Sequence, residues 1–170
     1  MTQTSSQTYS HEELKALLPH RDPMLLLDSV TLDEEEGGES GSANSSNRVA
    51  RGKLEIRGDE FFLQGHFPGN PLLPGVIQCE ILAQTCCVLL GQEAAAAEVT
   101  PVYTGLTNVK FRRPVRPGET FDSEVSITRQ RGMFYWASGV GHVGDETCVQ
   151  ADFSFALVPN EAATASEANA

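Results

Sequence analysis

Two residues near the middle of the chain stand where a merely packed core would not put them. His66 lies in a loop stiffened by three prolines (Pro68, Pro71, Pro74) and three glycines (Gly65, Gly69, Gly75). Glu80 interrupts the almost wholly apolar run that follows. An ionised carboxylate in apolar surroundings is costly unless it is paired or takes up a proton. An imidazole, with an ordinary pKa of ~6.5, is suited to taking a proton near neutrality. Together the two read as a general base and a general acid. Gln84 falls one helical turn beyond Glu80, where an amide can hold a carboxyl in place. The backbone N–H groups of Gly75 and Val76, at the start of the apolar run, are suited to stabilising a developing oxyanion. Singly, each side chain has a plainer reading. His66 could be a hydrogen-bonded loop residue, and Glu80 a buried carboxyl satisfied by a backbone group or an arginine.

The elements that must hold this stretch follow from the pattern on either side. Residues 1–9 are polar and read as a disordered N-terminus. Ser10 and Glu13 form a capping-box pair that opens a short helix through Leu18, stopped by Pro19. Pro19 to Pro23 reads as a rigid turn, with His20 taken as a turn residue, and Met24 to Thr31 reads as a strand. Asp33 to Asn47 is acidic and rich in Gly and Ser, with almost no apolar residues, and is expected to be a mobile insertion. A second strand is expected over Val49 to Ile56. The central helix is predicted from Pro74 to about Leu90 with Gly91 as its C-cap, apolar on nearly every side and therefore surrounded by protein. Four consecutive strands follow, several joined by short turns. Antiparallel meanders need only such turns. The reading is α+β, one domain over 10–158, with a frayed tail at 159–170.

Composition narrows the function. The chain has 170 residues, 40% of them apolar, and a net charge of −11. That charge argues against bulk nucleic-acid binding. The start of the chain resembles no secretory signal, and the longest apolar stretch is broken by Gln78, Glu80 and Gln84, so no membrane span is expected. The four cysteines, Cys79, Cys86, Cys87 and Cys148, show neither a C-x-x-C pair nor a metal spacing. They fit reduced thiols in a cytoplasmic protein that uses no metal and no cofactor.

Several segments match a known family in order and spacing. They are Leu17-Leu18-Pro19-His20-Arg21, Phe61 to Gly69 (F-F-L-Q-G-H-F-P-G), Pro74-Gly75-Val76, Glu80 to Gln84 (E-I-L-A-Q) and Phe111 to Val115 (F-R-R-P-V). Over roughly Leu14 to Val158 the chain resembles the hot-dog-fold 3-hydroxyacyl-[acyl carrier protein] dehydratases of type II fatty acid synthesis, the FabZ type. The resemblance implies a six-stranded antiparallel sheet wrapped around one long buried helix. It also implies a homodimer, possible as a trimer of dimers, in which the histidine of one subunit faces the carboxylate of the other. The spacing alone leaves an in-subunit pair open.

The implied reaction converts 3-hydroxyacyl-acyl carrier protein to the trans-2-enoyl product and water, with His66 as base, Glu80 as acid and Gln84 orienting. Leu72, Leu73, Tyr103, Phe134 and Trp136 are candidates for the acyl pocket, with core packing as the competing role for each. Lys110, Arg112, Arg113 and Arg116 form a basic cluster in an acidic chain, suited to steering an acidic carrier protein; a solvated strand end explains them almost as well. Gln78 and Cys79 stand where the family commonly has aliphatic residues. The competing functions are a thioesterase or dehydratase-isomerase on the same fold, and a non-catalytic acyl-binding protein. The isomerising relatives typically carry Asp at the helix carboxylate, and here it is Glu80.

Overall fold

The computed structural model describes residues 4–35, 48–91, 95 and 97–160. Seven antiparallel strands form one sheet in the order β1-β2-β3-β5-β6-β7-β4. They are β1 (Thr4–Ser10), β2 (Ser29–Glu35), β3 (Arg48–Glu55), β4 (Val99–Phe111), β5 (Thr120–Arg131), β6 (Phe134–Val143) and β7 (Glu146–Pro159). Helix α1 (His11–Leu17) follows β1, and helix α2 (Gly75–Cys87) lies between β3 and β4 in sequence. The sheet curls around α2, whose Ile81, Leu82 and Cys86 are fully buried in the core. This is the hot-dog arrangement, with seven strands rather than six.

The extra strand is the segment expected to be disordered. Thr4 to Ser10 pairs along β2, from Thr4 opposite Glu35 to Ser10 opposite Ser29. Its sequence is polar because an edge strand has one neighbour and mostly faces water. Hydroxyls answer one another across the pair, as between Thr8 and Thr31 at 2.9 Å, and Tyr9 packs against the core. The capping box is present, with Ser10 N–H donating to Glu13 Oε2 at 2.8 Å.

Three boundaries differ from the sequence reading. Pro74 is the N-cap of α2, and the α-helix ends at Cys87, continuing as a 3₁₀ turn over Val88–Leu90 that Gly91 closes at φ 69°. Met24 to Asp28 is not a strand: Met24 C=O and Leu26 N–H bond the side-chain amide of Gln84 instead of a neighbouring strand. The acidic stretch begins inside β2, where Asp33 pairs with Arg51 and Glu34 with Arg48; the rest of it, 36–47, lies outside the described residues, as do 1–3 and most of the tail.

The helix sits close to the sheet because glycines make room. A Cβ at Gly52 of β3 would lie 2.3 Å from Thr85 Oγ1 of α2. That hydroxyl donates to Ile81 C=O and shares a 2.8 Å hydrogen bond with Ser123 of β5. A buried polar pair of this kind stays stable only while both partners remain matched.

Candidate active site

The loop that carries His66 is held at both of its ends. Phe67 and Asn70 exchange backbone hydrogen bonds at 3.1 and 2.9 Å, Leu72 N–H donates to His66 C=O at 2.8 Å, and Leu73 N–H donates to Val115 C=O at 2.8 Å. Gly65 and Gly69 adopt φ 83° and 70°, a left-handed backbone that favours glycine. Arg116 Nη1 donates to Asn70 Oδ1 at 2.7 Å and pins the same loop from the side.

Within this frame His66 Nδ1 lies 2.9 Å from Leu72 C=O. A carbonyl accepts only, so the proton resides on Nδ1, and Nε2 is left with its lone pair. The ring is half-buried and stacks on Phe67, with 4.0 Å between centroids. His66 is thus a fixed imidazole whose basic nitrogen is unclaimed within the described residues.

Glu80 lies on the second turn of α2 with its side chain 22% exposed, so the carboxyl stands at the rim of the core rather than sealed in it. Gln84 is fully buried. Its Oε1 accepts from Leu26 N–H at 3.0 Å, which assigns the other end of the amide as Nε2. That Nε2 donates to Met24 C=O at 2.7 Å and to Glu80 Oε1 at 2.8 Å. The i, i+4 spacing on the helix brings the pair together.

The sequence reading missed one member of this group. His20 Nε2 lies 3.4 Å from Glu80 Oε1, and among the described residues it is the one histidine within ion-pair distance of Glu80. His66 lies beyond ion-pair distance of Glu80 within the single chain. The signal for His20 was its place in the L-L-P-H-R segment, not any local pattern.

Tyr103 also belongs to this neighbourhood. Its hydroxyl donates to Cys79 C=O at 2.6 Å, and burial, with the charge of Glu80 next in order, holds the phenol well above its ordinary range. Burial likewise raises the thiols of α2, Cys87 to about 12. The N–H groups of Gly75 and Val76 find no acceptor among the described residues. Gly75 is also a close approach: a Cβ there would lie 2.8 Å from the Phe111 ring.

Two assignments to the acyl pocket are corrected. Phe134 and Trp136 point to the outer face of the sheet, since Tyr135 and Ala137, their alternating neighbours on β6, are the ones buried in the core. Trp136 instead stacks under Arg129, whose Cζ is 4.7 Å from the ring centroid. Leu73 is buried in the main core, whereas Leu72 is half-buried beside His66. A cavity of about 210 Å³ opens elsewhere, at the far end of α2, with a mixed lining in which Leu18, Cys87 and Leu90 stand beside Arg21, Glu98 and Asn160. Cys87 lies two turns beyond Glu80 on the same helix face.

The basic cluster divides in two. Lys110 and Arg112 are exposed. Arg113 is committed to Glu119 at 2.6 Å and Glu146 at 2.9 Å, and Arg116 to the His66 loop. Among the described residues no cluster of three His, Cys, Asp or Glu stands ready to hold a metal ion, and no helix is long and apolar enough to cross a membrane.

Comparison with known proteins adds a family to this geometry. The FabA-like domain matches residues 18–152. The chain is 40% identical over 147 residues to the 3-hydroxyacyl-[acyl-carrier-protein] dehydratase FabZ of Natranaerobius thermophilus, covering 86% of this chain and 95% of that one. The dehydratase of the same name from Caulobacter vibrioides is 36% identical over 148 residues, covering 86% of each chain. Among solved structures, the dehydratase heterocomplex ApeI:P from Xenorhabdus doucetiae superposes with a TM-score of 0.67 at 20% identity, over 92% of this chain and 97% of that one. That likeness speaks to the fold.

Proposed function

The chain belongs to the FabZ-type 3-hydroxyacyl-[acyl carrier protein] dehydratases of the FabA-like family, and from that premise we propose how its residues carry out the reaction. The protein dehydrates a 3-hydroxyacyl thioester held on acyl carrier protein, giving the trans-2-enoyl thioester and water in fatty acid biosynthesis. The observation that carries the assignment of roles is the His66–Leu72 hydrogen bond, because it leaves Nε2 as a base of defined position.

His66 Nε2 takes the proton from C2. The electrons of that C–H bond form the C2=C3 double bond as the C3–O bond breaks, and Glu80, protonated, delivers its proton to the departing hydroxyl, which leaves as water. Negative charge that develops on the thioester oxygen is met by the N–H groups of Gly75 and Val76 at the N-terminus of α2. Gln84 keeps the carboxyl in one orientation throughout.

His66 and Glu80 make no ion-pair contact within one chain, which supports a site completed by a second copy. Strand β4 is the sheet edge opposite β1. Val102, Leu106 and Phe111 on β4 are exposed, as are Phe67 beside the histidine and Val76 at 76% on α2. Apolar side chains gathered along an open edge support a homodimer formed through β4. The acyl chain extends from Glu80 along α2 toward the cavity at Cys87, and Lys110 and Arg112 supply the positive charge that an acidic carrier protein meets.

The test is direct. Purified protein given a 3-hydroxyacyl carrier-protein substrate should form the trans-2-enoyl product, and His66→Ala or Glu80→Gln should abolish the conversion while the dimer persists. Full activity in either variant would overturn the roles assigned here.

A further inference from the structure

The turn from Pro19 to Pro23 is held far more firmly than a connection requires. Asp22 is gripped by His11 Nε2 at 2.8 Å and by Lys15 Nζ at 3.0 Å, both from α1. Arg21 Nη1 donates to Leu18 C=O at 2.8 Å and to His20 C=O at 2.7 Å, while Met24 and Leu25 N–H both donate to Arg21 C=O. Directly after the turn, Met24 and Leu26 grasp Gln84. The result is a rigid bracket with two arms, His20 and Gln84, that converge on the same atom, Glu80 Oε1.

The tautomer of His20 follows from its surroundings. Nδ1 is buried and has no partner among the described residues. A proton there would be a donor buried without an acceptor, an arrangement that native interiors avoid. The proton therefore resides on Nε2, which faces Glu80 Oε1 at 3.4 Å. That contact is at ion-pair distance and is not a formed hydrogen bond, unlike the 2.8 Å bond from Gln84; active-site contacts commonly tighten into hydrogen bonds when the reacting molecule binds.

We propose that His20 is a positioning residue for the general acid: with Gln84 it makes Oε1 the oxygen that only accepts, so that Oε2 carries the proton delivered to the substrate hydroxyl. A carboxylic acid has one carbonyl-type oxygen and one hydroxyl oxygen. The N–H of Gln84 already favours Oε1 as the first, and the N–H of His20, closing from ion-pair distance on the same atom, reinforces that choice and fixes the second. Once the proton has left, the same donors stabilise the carboxylate, whose charge would otherwise sit at the core's rim with a single partner. The inference rests on the role of Glu80 as acid.

Three variants test it with one carrier-protein substrate. His20→Phe keeps the ring and removes the donor, and kcat should fall about tenfold, the rate equivalent of one neutral hydrogen bond, with KM within twofold. His20→Gln places an amide N–H at the reach of Nε2 and should restore kcat to within about threefold of the parent, since a neutral donor is regained. His20→Asn, too short to reach Glu80, should match His20→Phe and serves in its place if the phenylalanine variant fails to fold. An active parent with an undiminished His20→Phe overturns the inference alone. So does a fall in His20→Gln as large as in His20→Phe, or an effect confined to KM. A parent that forms no enoyl product overturns the reading of the reaction, and the inference falls with it.

Discussion

Gln84 and Glu80 are joined by a 2.8 Å hydrogen bond whose direction is set from outside the pair, by the N–H of Leu26. With Leu26 holding Oε1 and Met24 C=O sharing Nε2, the amide cannot flip, and Glu80 faces a donor in every copy of the protein. An orienting residue is effective when it is itself immobile, and burial of Gln84 meets that condition.

Replacing Gln84 by leucine should therefore cost twice. Leu26 N–H and Met24 C=O lose their partners in the interior, a penalty of about 1–3 kcal/mol for each unsatisfied group. The carboxyl also loses its fixed direction, so kcat should fall more than KM rises. Urea denaturation checks the first effect, and steady-state kinetics on the carrier-protein substrate the second.

The cavity at Cys87 should set acyl length. Cys87→Phe fills space at the far end of α2, seven residues beyond Glu80, without replacing His66, Glu80 or Gln84. The ratio of kcat/KM for long over short 3-hydroxyacyl chains should fall by about tenfold, the order expected when a binding site loses a methylene's room. An unchanged ratio would place the acyl chain elsewhere.

Charge reversal separates docking from structure within the basic cluster. Lys110→Glu with Arg112→Glu should raise KM for the carrier-protein substrate and leave kinetics on the coenzyme A thioester nearly unchanged, because steering acts on the acidic carrier. Arg113→Ala should lower the melting temperature instead, since it takes the guanidinium from the half-buried Glu119 and from Glu146. Salt should diminish the first effect more than the second.

The Arg113–Glu119 pair also predicts an acid limb of stability. Arg113, first among the causes, holds the Glu119 carboxyl below its ordinary 4.5. A carboxyl depressed in the folded state adds stability that is fully present above its unfolded value and is lost as pH falls through the folded value. The melting-temperature advantage of the parent over Glu119→Gln should stay level from neutrality down to pH 4.5 and then shrink as the solution becomes more acidic. A difference that does not change with pH would contradict the assignment.

What could be read from the residues divides along physical lines. The Glu80–Gln84 bond was legible because polar residues in an apolar run demand a reason and an i, i+4 spacing brings the two together. The helix and the meander were legible because their periods are strong. The first strand was not, since a polar edge strand has no apolar alternation to display. His20 was not, because its partner is sixty positions away and a turn histidine has no signature of its own. Phe134 and Trp136 were misplaced because β6 carries aromatics on both faces, and only the sheet shows that Tyr135 is the inward one.

Met24 to Asp28 runs where a strand was expected, and a side-chain amide occupies the place of its neighbour. That substitution ties the acid's aim to a backbone segment made 58 residues earlier. Folding and arming are consequently coupled in this protein. Leu14, Leu17, Leu18 and Leu25 enter the core from the same leading segment that gives Glu80 its bearing. For an engineer, trimming or grafting that leading segment would loosen the scaffold and the carboxyl's aim together.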